Sequence, residues 1–296
     1  MPQHPTLQLG RYTVDVVAGG RMHIDGGNMF GVVPRSLWSR ERTPDDQNRV
    51  ECCCNCLLIR GEVDGKTRTV LVDTGNGGKW NDKMRSYTNM QPGNPILESL
   101  DAKGIAPEAI DTVILTHLHN DHAGGATRLA PGSEGKPVPA FPNARHFIQQ
   151  REWDDATGRR PELAGMYFED DFVPLDDAGG VDLVDGETEV LPGIKVVPTG
   201  GHTLGHQMVV IEGAEGDAWP RAVYACDLCP TASHLHTSWC LAYDQHLRET
   251  RRVKPGVLGE LADHGGLLLF AHDPEHYAVT LARDERKHFV IKEEIR

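Results

Sequence analysis

Short apolar runs recur along the chain between turn-forming residues, a pattern typical of a protein rich in β-strands. The strands that this pattern predicts fall at residues 12–17, 53–60, 68–72, 112–115, 144–148, 181–190, 194–197, 207–211, 222–225 and 267–270. Asp64 and Gly65 favour a tight turn, so the two runs on either side of them should pair as a hairpin.

Helical segments are fewer and stand between the strand clusters. Helices are predicted at residues 95–103, at 152–172 with an interruption, and at 245–263 with a break or kink near Pro255. Strands and helices that alternate in two similar halves indicate a mixed α and β protein. No low-complexity linker divides the chain, and we therefore predict a single domain over residues 1–296.

Residues 26–50 form an irregular stretch that is too long for an ordinary connection. Its large apolar residues are unusual for an exposed loop unless the loop packs or binds something. We expect this segment to cover a site, with Met29, Phe30 and Trp38 as an apolar wall. The alternative is that the segment packs against a second copy of the chain in a homodimer.

The charge balance narrows the class of partner. Thirty basic residues against 43 acidic residues give a net charge of −13, which repels nucleic-acid phosphates and anionic membranes. No apolar run approaches the roughly 18 residues of a membrane helix, and residues 1–5 do not begin a secretory signal. We expect a cytoplasmic protein with a small-molecule substrate and without nucleic-acid or membrane partners.

The chain has seven cysteines, an odd number, and disulfides are uncommon in a reducing cytosol. The cluster from Cys52 to Cys56 leads straight into an apolar run, so we interpret it as part of a buried strand. A structural zinc site formed by that cluster together with Cys226 and Cys229 is the alternative. Cys226 and Cys229 flank Asp227 and should pack behind it.

Three histidines and an aspartate follow the predicted strand at 112–115 within six positions. Residues two apart in an extended segment share a face, so His117 and His119 can bind the same ion. Asp121 and His122 lie where the chain should turn, and they can bind a second ion beside the first. Imidazole and carboxylate without thiolate suit zinc, and also iron or manganese. A solvated loop would not require this ordered spacing directly after a strand.

Further candidate ligands lie downstream, each at the exit of a predicted strand. They are His202 after residues 194–197, Asp227 after 222–225 and His272 after 267–270. Loops at strand exits carry much of protein chemistry because a rigid scaffold positions them. With His-x-His-x-Asp-His at residues 117–122, this ordered set resembles the metallo-β-lactamase superfamily over nearly the whole chain. Residues 25–34 and 227–231 are further similar to the quorum-quenching N-acyl-homoserine-lactone lactonases of that superfamily.

The resemblance implies an αββα sandwich of two packed mixed β-sheets with helices outside, and a site for two divalent metal ions. Carried over position by position, it assigns His117, His119 and His202 to the first ion, Asp121, His122 and His272 to the second, and Asp227 to both. Two cations about 3.5–4 Å apart can share a carboxylate and a bridging hydroxide that acts as the nucleophile. Asp121 could also move a proton to the departing alkoxide. Asp73 should orient the metal-binding loop.

Two positions narrow the reaction. His119 stands where flavodiiron relatives typically have an acid, which favours hydrolysis over redox chemistry. Asp227 stands at the bridging position in place of the cysteine of the zinc β-lactamases. The leading hypothesis is a hydrolase that opens a lactone of the N-acyl-homoserine type. A thioesterase of the glyoxalase II type, a phosphodiesterase and a non-catalytic metal-bound sensor stay open as alternatives.

One position departs from the better-known lactonases. They place a tyrosine three positions after the bridging aspartate, where this chain has Pro230. The negative charge that develops on the carbonyl oxygen must then be stabilised by the metal alone or by another side chain, for which His234 and Tyr243 are the candidates. A packing role is the alternative for both. His206 begins a predicted strand and should support the site without joining it.

Overall fold

The structure is a computed structural model that describes residues 5–286 and 288–295. Its strands are β1 Leu7–Leu9, β2 Tyr12–Asp25, β3 Arg49–Val63, β4 Lys66–Val72, β5 Thr112–Ile114, β6 Thr127–Leu129, β7 Pro137–Pro139, β8 Arg145–Gln149, β9 Val181–Val184, β10 Thr188–Leu191, β11 Ile194–Pro198, β12 Gln207–Glu212, β13 Arg221–Tyr224, β14 Leu267–Leu269, β15 Ala278–Asp284 and β16 His288–Glu294. Its α-helices are α1 Gly26–Phe30, α2 Arg35–Trp38, α3 Asp82–Thr88, α4 Pro95–Ala102, α5 Asn120–Ala123, α6 Gln150–Thr157, α7 Val173–Asp177 and α8 Leu247–His264. Residues 1–4, on which the prediction about a secretory signal rests, lie outside the described residues.

The strands form two seven-stranded sheets and one small hairpin of β6 and β7. The first sheet has the order β1-β2-β3-β4-β5-β8-β9, and the second has the order β10-β11-β12-β13-β14-β15-β16. In the first sheet, β5 pairs in parallel with β4 and with β8, and β8 pairs in parallel with β9. In the second sheet, β13 and β14 pair in parallel. The other neighbouring strands of the two sheets pair antiparallel. Both sheets are therefore mixed.

The two sheets pack face to face through a shared apolar core. Successive side chains of a strand point to opposite faces. In β12, Val209 and Ile211 accordingly lie in the core between the sheets, whereas Val210 packs on the outer face beside Leu258 of α8. Helix α4 covers the outer face of the first sheet, where its Ile96 joins the apolar cluster. The predicted αββα sandwich is confirmed.

The hairpin predicted around residues 64 and 65 is confirmed. Val63 pairs with Lys66, which leaves a two-residue turn, and Asp64 and Gly65 have φ angles of 52° and 73°. Positive φ at both positions is the conformation that matches the twist of the flanking strands. The run at 181–190 contains two strands that belong to different sheets, since β9 ends the first sheet and β10 begins the second.

Residues 26–50 are more ordered than the pattern predicts, because the short helices α1 and α2 lie within them. Asp25 Oδ1 accepts a hydrogen bond from Gly27 N at 2.8 Å and so begins α1. Phe30 of α1 stacks on Trp38 of α2 with ring centroids 5.0 Å apart, and both rings are buried. A Cβ on Gly26 would lie 2.3 Å from the Trp38 ring, so the indole fits only against glycine.

Four of the cysteines lie along β3, as the interpretation of that cluster predicts, and all seven are buried and free: Cys52, Cys53, Cys54, Cys56, Cys226, Cys229 and Cys240. Helix α8 continues through Pro255 without the predicted break. Within residues 5–286 and 288–295, no helix combines the length and the apolar content that crossing a membrane requires.

Candidate metal centre

All the ligand candidates from the sequence meet at one end of the two sheets. They follow β5 (His117, His119, Asp121 and His122), lie between β11 and β12 (His202), follow β13 (Asp227) and follow β14 (His272). Strands β13 and β14 are parallel neighbours, so Asp227 and His272 leave the second sheet at the same edge, and the rigid sheets position the loops that carry all of these residues. Their donor atoms fall into two groups that share Asp227.

The first group contains three imidazoles. His119 Nδ1 lies 3.0 Å from His117 Nε2 and 3.0 Å from His202 Nε2. Asp227 Oδ2 lies 3.1 Å from His202 Nε2. Three ring nitrogens and one carboxylate oxygen therefore face a common point.

The second group contains two imidazoles and a carboxylate. The Nε2 atoms of His122 and His272 are 3.1 Å apart, and Asp121 Oδ2 lies 3.7 Å from the first and 3.8 Å from the second. Asp227 Oδ1 lies 2.9 Å from His272 Nε2 and 3.6 Å from His122 Nε2. Asp227 thus turns one oxygen toward each group.

The outer nitrogens of three rings have partners of their own. His122 Nδ1 lies 2.8 Å from Asp73 Oδ2, which is the residue that the sequence predicts in this role. His202 Nδ1 lies 2.9 Å from Asp244 Oδ1, and His272 Nδ1 lies 2.7 Å from the Cys53 carbonyl. These acceptors hold the ring proton on Nδ1, so the Nε2 lone pair faces the donor group.

Glu152 of α6 connects the loops that carry the first group. Its buried carboxylate accepts hydrogen bonds from Leu118 N at 2.9 Å and from Thr203 Oγ1 at 2.5 Å. Burial raises the pKa of Glu152, and the two hydrogen bonds oppose this change. Glu152 and Asp244 were not predicted as site residues, because nothing in the local sequence distinguishes them from other acidic residues.

His206 lies behind the site, as expected. Its Nε2 accepts a hydrogen bond from Asp227 N at 3.2 Å, and its Nδ1 lies 2.5 Å from Thr199 Oγ1. Cys226 has a φ of 50°, which is uncommon for a residue with a side chain. Its buried thiol packs against Thr116 Oγ1 at 3.1 Å. This packing supports the strained turn that carries Asp227.

The electrostatics of the cluster suit cations. Burial, followed by the neighbouring imidazoles, lowers the pKa of His117 well below its usual value, and burial chiefly lowers the pKa of His119 to about 3. Burial opposes the charge of Asp227, yet the surrounding histidines hold its pKa well below the usual range. With their Nδ1 protons directed to Asp73 and the Cys53 carbonyl, His122 and His272 face each other through Nε2 atoms 3.1 Å apart, and these atoms repel unless a cation lies between them. The donor set fits divalent metal ions.

The two further catalytic candidates occupy different environments. His234 is buried, with Nδ1 2.8 Å from Thr231 Oγ1 and Nε2 3.0 Å from the Met29 carbonyl. Its ring stacks on Phe30, and burial chiefly lowers its pKa to about 3. The environment of His234 is therefore that of a packing residue, which was the alternative to a catalytic role. Tyr243 is 47% exposed and lies beside the donor groups in an open cleft.

This cleft has a volume of about 570 Å³ and opens onto Asp121 and Asp227. Its lining includes four methionines, Met22, Met29, Met90 and Met166, which we call the methionine wall. Of the predicted apolar contacts, Met29 lines the cleft. The prediction for Phe30 and Trp38 is wrong, because the stacking of these rings on each other buries them behind the cleft.

The chain is similar in sequence to known proteins. The sequence model of the Metallo-beta-lactamase superfamily matches residues 50–286. An N-acyl homoserine lactonase of a Bacillus species is 29% identical over 167 residues, which cover 53% of this chain and 57% of the relative. The N-acyl homoserine lactonase AiiB of Agrobacterium fabrum strain C58 is 26% identical over 243 residues, or 71% of this chain and 77% of the relative. The chain thus spans little more than half the length of the Bacillus relative.

Solved structures are similar over almost the whole chain. A probable metal-dependent hydrolase of Staphylococcus aureus superposes with a TM-score of 0.83 at 29% identity, covering 98% of this chain and all of that one. AidC, described as a dizinc quorum-quenching lactonase in complex with the product N-hexanoyl-L-homoserine, superposes with a TM-score of 0.76 at 19% identity, covering 99% and 97%. The second likeness concerns the fold alone.

Proposed function

The chain belongs to the metallo-β-lactamase superfamily, and we propose that it is a two-metal hydrolase that opens lactone rings, with N-acyl-homoserine lactones as its substrate class. The observation that carries this proposal is the placement of Asp227, which turns Oδ2 toward the first donor group and Oδ1 toward the second. A carboxylate in this position can hold two cations at a fixed separation. The names of the curated relatives and the apolar cleft beside the donors support the choice of substrate.

The proposed ligands are the residues of the two donor groups. The first ion is held by His117, His119 and His202, the second by Asp121, His122 and His272, and both by Asp227. Zinc suits this nitrogen and oxygen set, and iron and manganese accept the same donors. When bound, the ions supply an activated water as nucleophile and polarise the ester carbonyl.

Asp121 has a second role in this proposal. Its Oδ2 faces His122 and His272, and its side chain is partly exposed on the cleft floor. A carboxylate in that position can take a proton from the attacking water and pass it to the oxygen that leaves when the ring opens. The product is then a free acid and an alcohol on one molecule, and the carboxylate returns to its starting state.

The cleft can bind the acyl chain of the substrate. The methionine wall offers an apolar surface beside the donor groups, and each methylene of an acyl chain buried there contributes about 0.8 kcal/mol. Methionine side chains are unbranched and adapt to irregular shapes. We therefore expect the protein to accept several chain lengths and to bind longer chains more tightly until the wall is covered.

The test is turnover by the purified, metal-replete protein against a panel of acyl-homoserine lactones, simple lactones, thioesters and phosphodiesters. We expect proton release from the lactones, with kcat/KM that rises with acyl length. Preferential turnover of a thioester or a phosphodiester would contradict the substrate assignment. A protein that holds two ions and turns over none of the panel would contradict hydrolysis and favour a metal-bound sensor.

A further inference from the structure

Tyr243 is held between helix α1 and the loop that carries His202. On one side, Ala242 N donates a hydrogen bond to the Asn28 carbonyl at 2.9 Å. On the other side, Asp244 Oδ1 lies 2.9 Å from His202 Nδ1. The residue between these two anchors therefore has a fixed backbone position relative to the proposed ligands of the first ion.

The hydroxyl of Tyr243 is also oriented. Asn28 Nδ2 donates a hydrogen bond to Tyr243 Oη at 2.7 Å, and both side chains line the cleft together with Asp121. Because Oη accepts from Asn28, its own proton is directed elsewhere. Burial, followed by the charges of Asp121 and Asp25, raises the pKa of Tyr243, so the hydroxyl keeps its proton at neutral pH.

We propose that Tyr243 donates a hydrogen bond to the substrate oxygen that gains negative charge during ring opening, and that Asn28 is the positioning residue for this hydroxyl. The inference rests on the proposed function. Pro230 offers no side-chain donor, and its carbonyl already accepts a hydrogen bond from His272 N at 3.0 Å. The proposed donor, Tyr243, therefore comes from a different segment than Pro230. The hydroxyl keeps its proton throughout, so no group is transferred.

A donor of this kind stabilises the transition state more than the bound substrate, because the acceptor gains charge only as the reaction proceeds. Its loss should lower kcat and leave KM nearly unchanged. In contrast, a side chain that only connects α1 to the His202 loop would affect the melting temperature and the metal content when its hydroxyl is removed.

The experiment compares Tyr243→Phe with Tyr12→Phe, a control in which the same atom is removed from a residue outside the cleft lining, where the hydroxyl donates to the Pro192 carbonyl. We expect Tyr243→Phe to lower kcat about 10- to 100-fold, the range for a hydrogen bond to a charged group. The metal content and melting temperature of Tyr243→Phe should match wild type, and Tyr12→Phe should retain kcat. Wild-type kcat in Tyr243→Phe would overturn the donor role. A lowered melting temperature or metal content without a change in kcat per bound metal would assign Tyr243 to structure.

Asn28 is tested by a double-mutant cycle on the same substrates. We expect Asn28→Ala to lower kcat less than Tyr243→Phe does, and to have no further effect in the Tyr243→Phe background, because Asn28 acts through the hydroxyl. Independent, additive losses would overturn the positioning role. If wild type turns over no lactone, the proposed function and this inference are both wrong. If wild type is active and Tyr243→Phe is equally active, only this inference is wrong.

Discussion

The donor cluster and the methionine wall border the same cleft, but they are built by opposite means. In the cluster, outer atoms of the rings are fixed by directional bonds, as in the contacts of His122 with Asp73 and of His202 with Asp244. The wall consists of flexible thioether side chains such as Met29 and Met90, which make contacts without direction. The cluster should therefore determine whether the reaction occurs, and the wall should determine which chain lengths bind.

The largest expected effect comes from the residue that both donor groups share. Asp227→Ala should lose metal and lower kcat by more than the roughly 10- to 100-fold that loss of an outer partner costs. Metal content and turnover measure this loss, and Asp263→Ala, which removes an exposed carboxylate paired with Arg283, is the control. Metal retention in Asp227→Ala equal to that of wild type would contradict the role of Asp227 and the contrast with the wall.

Replacing Phe30 tests whether this residue belongs to the packing behind the cleft and not to the methionine wall. Since its ring is buried against Trp38, Phe30→Ala should lower the free energy of unfolding by about 3–5 kcal/mol. Val32→Ala, at a position 71% exposed in the same segment, should change it little. Denaturant unfolding measures both. If Phe30→Ala left stability unchanged but raised KM for long acyl chains, Phe30 would belong to the wall after all.

Removal of metal should destabilise the cluster side of the cleft. Asp121 and Asp227 both approach His122 Nε2, at 3.7 and 3.6 Å, and two carboxylates in one poorly solvated site should repel each other without cations. Ions at 100 times their Kd stabilise the fold by about 2.7 kcal/mol. A chelator should therefore lower the melting temperature by several degrees, and added zinc should restore it. An unchanged melting temperature in protein shown to be free of metal would contradict this expectation.

The smallest effect should come from the wall. Met90→Ala removes apolar surface from the cleft, so it should raise KM for long-chain lactones a few-fold, in line with about 0.8 kcal/mol per methylene. The KM for short-chain lactones should be nearly unchanged. Met84 lies in α3 outside the cleft lining, so Met84→Ala should leave KM nearly unchanged for all substrates. Parallel profiles of KM against chain length in Met90→Ala and wild type would remove the wall from substrate binding.

The same contrast explains what could be predicted from the sequence. The positions of His117 through His122 after β5 follow from local pattern, because strand period and ligand spacing are properties of short segments. The choice of His202, Asp227 and His272 at later strand exits follows from the resemblance to a family. Residues 278–284 and 288–294, which form β15 and β16, were not predicted as strands.

What the sequence could not provide depends on contacts between distant segments. Phe30 and Trp38 were placed in the cleft because both are large and apolar, yet the packing of α1 on α2 turns them inward. Glu152 and Asp244 reach the first donor group from other parts of the chain, and no local spacing indicates this. The single domain over residues 1–296 and the cytoplasmic location stay predictions.

The most direct test of the account is the number of metal ions per chain. Elemental analysis of metal-replete wild-type protein, with protein concentration determined independently, should give two equivalents, because two donor groups meet at Asp227. The same measurement on Asp227→Ala should give a clear loss of both. One equivalent or less in the wild-type protein would contradict the two-metal site on which the proposed reaction depends.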